Sequence, residues 1–251
     1  MAWEFAHGSD IGGRAEQQDS YSILHHMGNH LLVLADGMGG REHGAMASDT
    51  VIETAHTRFY SPHRAHPEQF LKRLCMEAHR KIVKLSYSKN SSSGSTAIML
   101  YLQGNEAYWA HVGDSRLYHF RNDQLLFHTS DHSLVTLQEE QEGNEFGNAA
   151  ESNQLYMCLG GNNDVEPEIN AARLNGNDLF LLCSDGFWGE VPPEEVLQQL
   201  TLPGSLQYHA DMLVRTATER GGKNADNISL LIARNQFDKR FTKLFKHFFS
   251  K

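Results

Sequence analysis

The stretch Leu31-Leu32-Val33-Leu34-Ala35-Asp36-Gly37 says more about the fold than any other part of this sequence. Its five apolar residues end on an acid and a glycine, as expected of a buried strand that reaches the surface. A second apolar run covers residues 179–183 and is followed closely by Asp185-Gly186. A third acid, Asp226, stands just before the apolar run 228–233. These runs predict a β-rich core with carboxylates at the ends of its strands.

Carboxylates at the ends of apolar strands indicate a metal site. A carboxylate is costly to remove from water unless a positive group meets it, and acids without nitrogen or sulfur ligands suit hard ions such as Mg2+ or Mn2+. Either Asp-Gly pair taken alone is also the commonest turn dipeptide of a β-hairpin. Because Asp36, Asp185 and Asp226 are placed alike, we expect a shared metal centre and phosphate chemistry rather than separate turns.

Size and composition favour one domain in a reducing compartment. The 251 residues, 40% of them hydrophobic, can bury a full core, and no proline- or serine-rich linker divides them. A formal net charge of −9 argues against a dedicated nucleic-acid binder, because a phosphate backbone requires a basic surface. Three cysteines without Cys-x-x-Cys spacing predict neither a disulfide framework nor a zinc site. With no secretory leader and no apolar stretch near the ~20 residues that span a bilayer, we expect a cytoplasmic location.

Hydrophobic periodicity predicts many strands with pairs of helices between them. Helices are expected over 42–60, after Pro67, over 134–142, after Pro192-Pro193, and over 206–219. Strands are expected over 3–9, 20–26, 31–35, 96–102, 106–112, 117–120, 125–128, 179–183 and 227–234. This order favours antiparallel sheets covered by helices over an alternating parallel fold. Periodicity alone leaves the type of sandwich open.

The order of the motifs points to a known family. The chain resembles the metal-dependent protein phosphatases, also called protein phosphatase 2C, in their bacterial serine/threonine form. Each motif is weak alone, but the set occurs in family order over residues 9–232. The motifs are Ser9-Asp10-Ile11-Gly12 with Arg14 and Gln17-Gln18-Asp19, Ala35-Asp36-Gly37-Met38-Gly39-Gly40, Gly94-Ser95-Thr96-Ala97, Val112-Gly113-Asp114-Ser115-Arg116, Asp131-His132-Ser133, Ser184-Asp185-Gly186 and Asp226-Asn227-Ile228-Ser229.

The resemblance implies an α+β fold, a four-layer α-β-β-α sandwich of two central antiparallel sheets flanked by helix pairs. It implies a metal-dependent protein phosphatase domain over residues 1–235, with a flap-like segment at 133–160. A basic, aromatic C-terminal tail over residues 236–251 would follow.

The resemblance also implies a metal centre. Asp36 would bridge two Mn2+ or Mg2+ ions and the Gly37 carbonyl would bind one of them. Asp185 and Asp226 would hold the other ion. Asp19 would support the centre directly or through a metal-bound water.

Two further residues take roles by the same resemblance. Arg14 would bind the substrate phosphate and act with Asp36 in catalysis, because its planar fork suits two phosphate oxygens. Asp114 would be the ligand of a third, weaker metal. Its alternative role is an ion pair with Arg116 in a turn.

The implied reaction is hydrolysis of phosphoserine and phosphothreonine in proteins, by a hydroxide that bridges the two ions. The implied partners are phosphorylated proteins, and the enzyme would oppose a bacterial Ser/Thr kinase or act on that kinase's targets. The alternatives are a phosphatase fold with little turnover that serves as a regulatory or scaffolding partner, and a hydrolase of small phosphate esters.

The sequence departs from the family pattern at several positions. Met38 stands where many eukaryotic members have a histidine that is thought to protonate the leaving group, so that donor is unassigned, with a metal-bound water as the default. Gln18 replaces a metal-binding glutamate of some members. The fifteen histidines lack metal-binding spacing, so we expect surface or structural roles for them, with an ordering role for His132 beside Asp131.

The C-terminal segment 239–251 is basic and aromatic in an otherwise acidic chain. Its large apolar residues fall on one face of a helix: Phe241, Leu244, Phe245, Phe248 and Phe249. The segment is predicted either to pack on the domain as a terminal helix or to dock on a partner or an anionic membrane surface.

Overall fold

The computed structural model describes residues 2–39, 42–61, 66–89, 92–136, 154–161 and 164–236. Within them the helices are α1 (Glu42–Phe59), α2 (Pro67–Lys89), α3 (Asp185–Trp188), α4 (Pro193–Thr201) and α5 (Leu206–Gly221). The strands are β1 (Ala2–Asp10), β2 (Asp19–His26), β3 (Asn29–Met38), β4 (Gly94–Ser95), β5 (Ala97–Gln103), β6 (Glu106–Val112), β7 (Arg116–Arg121), β8 (Gln124–His128), β9 (Glu168–Arg173), β10 (Asp178–Cys183) and β11 (Ile228–Gln236).

The strands form two antiparallel sheets. The first sheet has the order β1-β11-β10-β7-β8, and the second has the order β2-β3-β5-β6-β9, with β4 beside β3. Every described strand pair is antiparallel. The chain ends β1 in the first sheet and enters β2 in the second, so residues 11–18 cross from one sheet to the other at their shared end.

Apolar residues on both faces of the central strands divide the protein into layers. Leu32 and Leu34 of β3 pack with Phe180 and Leu182 of β10 between the sheets. Leu31 and Val33 face the other way, towards α1 and α2. This double burial explains why the strand reads as an unbroken apolar run rather than an alternating one.

The helices cover the outer faces of the two sheets. Positions three and four apart on α2 are buried against the second sheet, and Pro67 begins this helix, where its missing N–H costs nothing. Helices α4 and α5 cover the first sheet. Ser205 caps α5, its Oγ accepting a hydrogen bond from the Tyr208 amide at 3.1 Å. The expected four-layer α-β-β-α sandwich is confirmed.

Periodicity missed strand β9. This strand lies at the edge of the second sheet and is half-exposed, so Ile169 is its only large aliphatic residue and no apolar run marks it. Of the helix expected over 134–142 only the first residues lie in the described part of the chain. Of the tail over 236–251, Gln236 ends β11 and the remainder lies outside the described residues. No helix among the described residues is long and apolar enough to cross a membrane.

Phe180 tests how firmly the two sheets are held together. Its ring is fully buried between them and stacks on His119, with ring centroids 4.3 Å apart. We expect Phe180→Ala to lower the free energy of unfolding by about 3–5 kcal/mol, because it leaves a cavity between the sheets. Leu126→Ala at a half-exposed position of β8 serves as the control and is expected to change it by less than about 0.5 kcal/mol. Urea unfolding measures both, and equal losses would contradict this view of the core.

Candidate metal centre

Two sheets bring the predicted acids to one end of the sandwich. Asp19 and Asp36 are directly opposite each other on β2 and β3 of the second sheet. In the first sheet, Asp185 follows β10 and Asp226 precedes β11, the strand next to β10. A Cβ placed on Gly186 would lie 3.1 Å from the Cβ of Asp226, which shows how closely these segments approach.

Burial and mutual repulsion raise the pKa values of these acids. Burial, opposed by the hydroxyl of Ser184, raises the pKa of Asp19 to about 7. Burial and the nearby carboxylates of Asp19 and Asp185 hold the pKa of Asp36 well above its usual value. Burial, followed by the charge of Asp226, also raises the pKa of Asp185. The cluster is therefore a site of unbalanced negative charge that a cation would relieve.

Two carboxylate oxygens in this cluster are buried without any hydrogen-bond donor among the described residues. They are Oδ1 of Asp19 and Oδ1 of Asp185. The other oxygen of Asp19 accepts a hydrogen bond from Ser184 Oγ at 2.7 Å. Buried acceptors are normally satisfied, so an orphaned pair in one cluster indicates a missing positive partner. Because the atoms available as metal ligands are all oxygens, these residues fit Mg2+ or Mn2+ better than Zn2+.

Neither Asp-Gly pair forms a hairpin turn. Asp36-Gly37 lies inside β3, and Asp185-Gly186 begins α3. Glycine is needed at position 37 for a close approach: a Cβ there would lie 2.1 Å from the Gly44 carbonyl oxygen in the first turns of α1. The role of the Gly37 carbonyl as a metal ligand stays a prediction.

Thr96 holds the backbone of Asp36 in place. The Asp36 amide donates to Thr96 Oγ1, and the Thr96 amide donates to the Asp36 carbonyl, both at 2.9 Å. Thr96 Oγ1 also lies 2.7 Å from the hydroxyl oxygen of Ser115. The motif Gly94-Ser95-Thr96-Ala97 thus acts by orienting an acid. Its place in the motif order was the only sign of this in the sequence.

Asn227 ties the crossing segment 11–18 to the acids. Its side-chain nitrogen Nδ2 donates to the backbone carbonyls of Ile11 at 2.9 Å and Glu16 at 3.1 Å. Its side-chain oxygen Oδ1 accepts a hydrogen bond from the backbone N–H of Gln18 at 2.8 Å. The segment therefore has a defined path past the cluster, and it carries Arg14.

Arg14 reaches the cluster from its exposed edge. Its Nη2 donates to Oδ2 of Asp226 at 2.6 Å, and 58% of its side chain is exposed. The structure thus brings the predicted phosphate-binding cation and a predicted metal ligand together. The guanidinium partly balances the negative charge there.

Asp114 lies near Asp185, in the turn between β6 of the second sheet and β7 of the first. Arg116 pairs instead with Asp131 through two hydrogen bonds of 2.8 Å, so the alternative role of Asp114, an ion pair with Arg116, is wrong. Trp188 Nε1 donates to the backbone carbonyl of Asp114 at 2.9 Å. Burial and the neighbouring Asp185 raise the pKa of the Asp114 carboxyl to about 7, which again suits a cation.

The residues that depart from the family pattern have structural contacts. Met38 ends β3 and pairs with Gly94 of β4. The Gln18 carbonyl accepts hydrogen bonds from Ser48 Oγ at 2.6 Å and from the Gly37 amide at 3.1 Å. Residues 137–153 of the predicted flap lie outside the described residues.

Asp36→Asn tests the repulsion within the cluster. In EDTA at about pH 8 we expect it to raise Tm by at least about 2 °C, because one charge is removed from a crowded site. Repulsion lowers the free energy of unfolding of the wild type most at pH values above the raised pKa of Asp36, and this loss disappears as the pH falls towards 3.8. The difference in Tm between the two proteins should therefore become smaller on acidification. Asp123→Asn, in the exposed turn between β7 and β8, is the control and should leave Tm unchanged. A lower Tm for Asp36→Asn in EDTA would contradict the electrostatic account.

Comparison with known proteins assigns the family. The sequence profile described as Protein phosphatase 2C matches residues 11–142. Serine/threonine phosphatase stp of Listeria innocua is 30% identical over 243 residues, covering 93% of this chain and 92% of that protein. Protein phosphatase PhpP of Streptococcus pneumoniae is 29% identical, covering 92% of this chain and 97% of that protein.

Solved structures agree with the sequence comparisons. A serine/threonine phosphatase of S. agalactiae superimposes with a TM-score of 0.85 at 29% identity, covering 94% of this chain and all of that one. The catalytic domain of the phosphatase PstP, in complex with two manganese ions, superimposes with a TM-score of 0.79 at 27% identity. It covers 92% of this chain and 97% of that one. The family profile, the relatives and the shared sandwich lead to one conclusion: the chain belongs to the protein phosphatase 2C family.

Proposed function

We propose that this protein hydrolyses phosphoserine and phosphothreonine in other proteins, with Mn2+ or Mg2+ as its cofactor. The observation that carries the proposal is the pair of orphaned, buried carboxylate oxygens in an all-oxygen cluster, with an arginine at its open edge. A cluster of this kind can hold divalent cations beside a group that binds phosphate.

The cofactor would be held by residues from both sheets. Asp36 and the Gly37 carbonyl would bind from the second sheet, and Asp185 and Asp226 from the first. Asp19, whose free Oδ1 is buried, would support them. Asp114 would hold a third ion. Bound divalent ions supply an activated water as nucleophile and neutralise the charge on phosphoryl oxygens.

Arg14 would position the phosphate. Among the described residues its guanidinium donates one hydrogen bond, from Nη2 to Asp226, which leaves the other donors of the fork available to a phosphate. A cation at Asp226 would weaken the pull of that carboxylate on the guanidinium. Arg14 could then donate to two phosphoryl oxygens at once, which orients the phosphorus for in-line attack and stabilises charge as the ester bond breaks.

The substrate class follows from the relatives, which are named serine/threonine and protein phosphatases. A phosphoprotein substrate makes this enzyme the counterpart of a Ser/Thr kinase. The three cysteines are all free thiols, which supports action in the reducing cytoplasm. The intact set of acids favours turnover over a purely scaffolding role.

Asp36→Asn also tests the proposed chemistry. With a phosphothreonine peptide and Mn2+, we expect phosphate release to fall by at least about 100-fold, because the central acid no longer holds the cofactor. EDTA should abolish wild-type turnover. Asp123→Asn should keep full activity. Since Asp36→Asn is expected to be more stable than the wild type in EDTA, its loss of activity would not reflect unfolding. Mn2+-dependent turnover by Asp36→Asn at the wild-type rate would contradict the proposal.

Arg14→Lys separates phosphate binding from metal binding. Lysine keeps the positive charge beside Asp226 but loses the planar fork. We expect KM for the phosphopeptide to rise about 10-fold, equivalent to ~1.4 kcal/mol, while the Mn2+ concentration for half-maximal activity stays within about twofold. Steady-state kinetics over a range of Mn2+ concentrations gives both values. An unchanged KM would contradict a role of Arg14 in binding the substrate phosphate.

A further inference from the structure

Two histidines and a glutamate, none of them part of the acid cluster, meet at a second place in the structure. His111 of β6 is directly opposite Glu168 of β9, the edge strand that periodicity missed. His132 comes from the segment after β8, and its ring centroid lies 4.5 Å from that of His111. One ligand atom from each of the three residues lies within 4.8 Å of the others.

His111 is the unusual member of this group. Its side chain is fully buried, and neither ring nitrogen has a hydrogen-bond partner among the described residues. A buried imidazole normally satisfies both nitrogens, so two orphaned nitrogens on one ring require an explanation. A bound metal ion would satisfy one of them at once.

The spacing of the ligand atoms suits an ion rather than direct hydrogen bonds. Oε2 of Glu168 lies 3.8 Å from Nδ1 of His111 and 3.8 Å from Nε2 of His132. Both distances exceed the range of a hydrogen bond. Ligands on a tetrahedral ion with bonds of about 2.0–2.1 Å are separated by about 3.4 Å, so a small inward shift would complete the site.

The protonation states also suit a metal. Burial lowers the pKa of His111, which keeps its imidazole neutral and able to donate a lone pair. The Glu168 side chain is 41% exposed, so one of the three ligands is accessible from solvent.

We propose that His111 Nδ1, His132 Nε2 and Glu168 Oε2 form a site for one Zn2+ ion or a similar transition metal, with water in the fourth position. Two imidazoles and one carboxylate are a ligand set that Zn2+ accepts. Mg2+ prefers oxygen ligands, as in the acid cluster. The protein would therefore hold different metals at two sites. This proposal is independent of the proposed function.

Binding has one identifiable cost. Nδ1 of His132 accepts a hydrogen bond from the Gly113 amide at 3.2 Å. When Nε2 binds a metal, a neutral imidazole carries its proton on Nδ1, so this hydrogen bond would be lost. The His132 amide would still donate to the Gly113 carbonyl at 2.9 Å, which keeps the segment in place. The loss of one hydrogen bond is set against three bonds to the metal.

Co2+ is a suitable probe, because it replaces Zn2+ and its four-coordinate complexes with imidazole absorb strongly in visible light. The protein is titrated with Co2+ in excess Mg2+, which occupies oxygen sites and competes poorly for imidazole. The wild type is compared with Glu168→Gln and His111→Gln. Glu166→Gln is the matched control: it removes the same charge two residues away, where Glu166 pairs with Lys72. Glutamine at position 168 can still accept the hydrogen bond from Asn170.

The expected result is one strongly absorbing Co2+ per chain in the wild type and in Glu166→Gln. In Glu168→Gln the affinity should fall by at least about 10-fold, the loss that follows removal of even an outer-shell partner of a metal. His111→Gln should abolish the visible bands. Weak octahedral bands alone, or equal Co2+ binding by the wild type and Glu168→Gln, would overturn the proposal. Glu168 is partly exposed, so its variant remains informative if His111→Gln fails to fold.

Discussion

The repulsion among buried carboxylates is the constraint on which the site depends. Asp19 and Asp36 are held opposite each other by strand register, and Asp185 and Asp226 are held by the adjacent sheet. Each of these carboxylates would have a lower free energy in water than in the protein interior. The sandwich holds them together because its strands bury apolar side chains on both faces, and that gain offsets the local cost. The scaffold thus holds the acids close together without a cation, in an arrangement that suits divalent ions.

Polar side chains around the acids give the site its order. Thr96 fixes the backbone of Asp36, and Ser184 occupies one oxygen of Asp19 while leaving the other free. Asn227 holds the crossing segment so that Arg14 meets Asp226 at the exposed edge. The motif residues between the acids therefore act mainly through hydrogen bonds that orient the charged groups, to which we assign the chemistry.

The fold offers ligands for the two kinds of metal site that we propose. The acid cluster offers only oxygen atoms, whereas His111, His132 and Glu168 offer nitrogen and oxygen together. The histidines have no metal-binding spacing in the sequence, and Glu168 lies on an edge strand without an apolar run. Local patterns could not find this group, because only the pairing of β6 with β9 and the path of the segment after β8 bring its members together.

The sequence by itself determined most of the strands and helices, because apolar runs are local properties of the chain. The order of its motifs, through the family resemblance, pointed to the four layers and to the acids of the cluster. The sequence did not determine how the parts contact one another. The Asp-Gly pairs resembled turns but lie in a strand and at a helix start, and Arg116 binds Asp131 rather than Asp114. These outcomes depend on strand register and on the packing of one sheet against the other. Such contacts join residues far apart in the chain, and only the tertiary structure decides them.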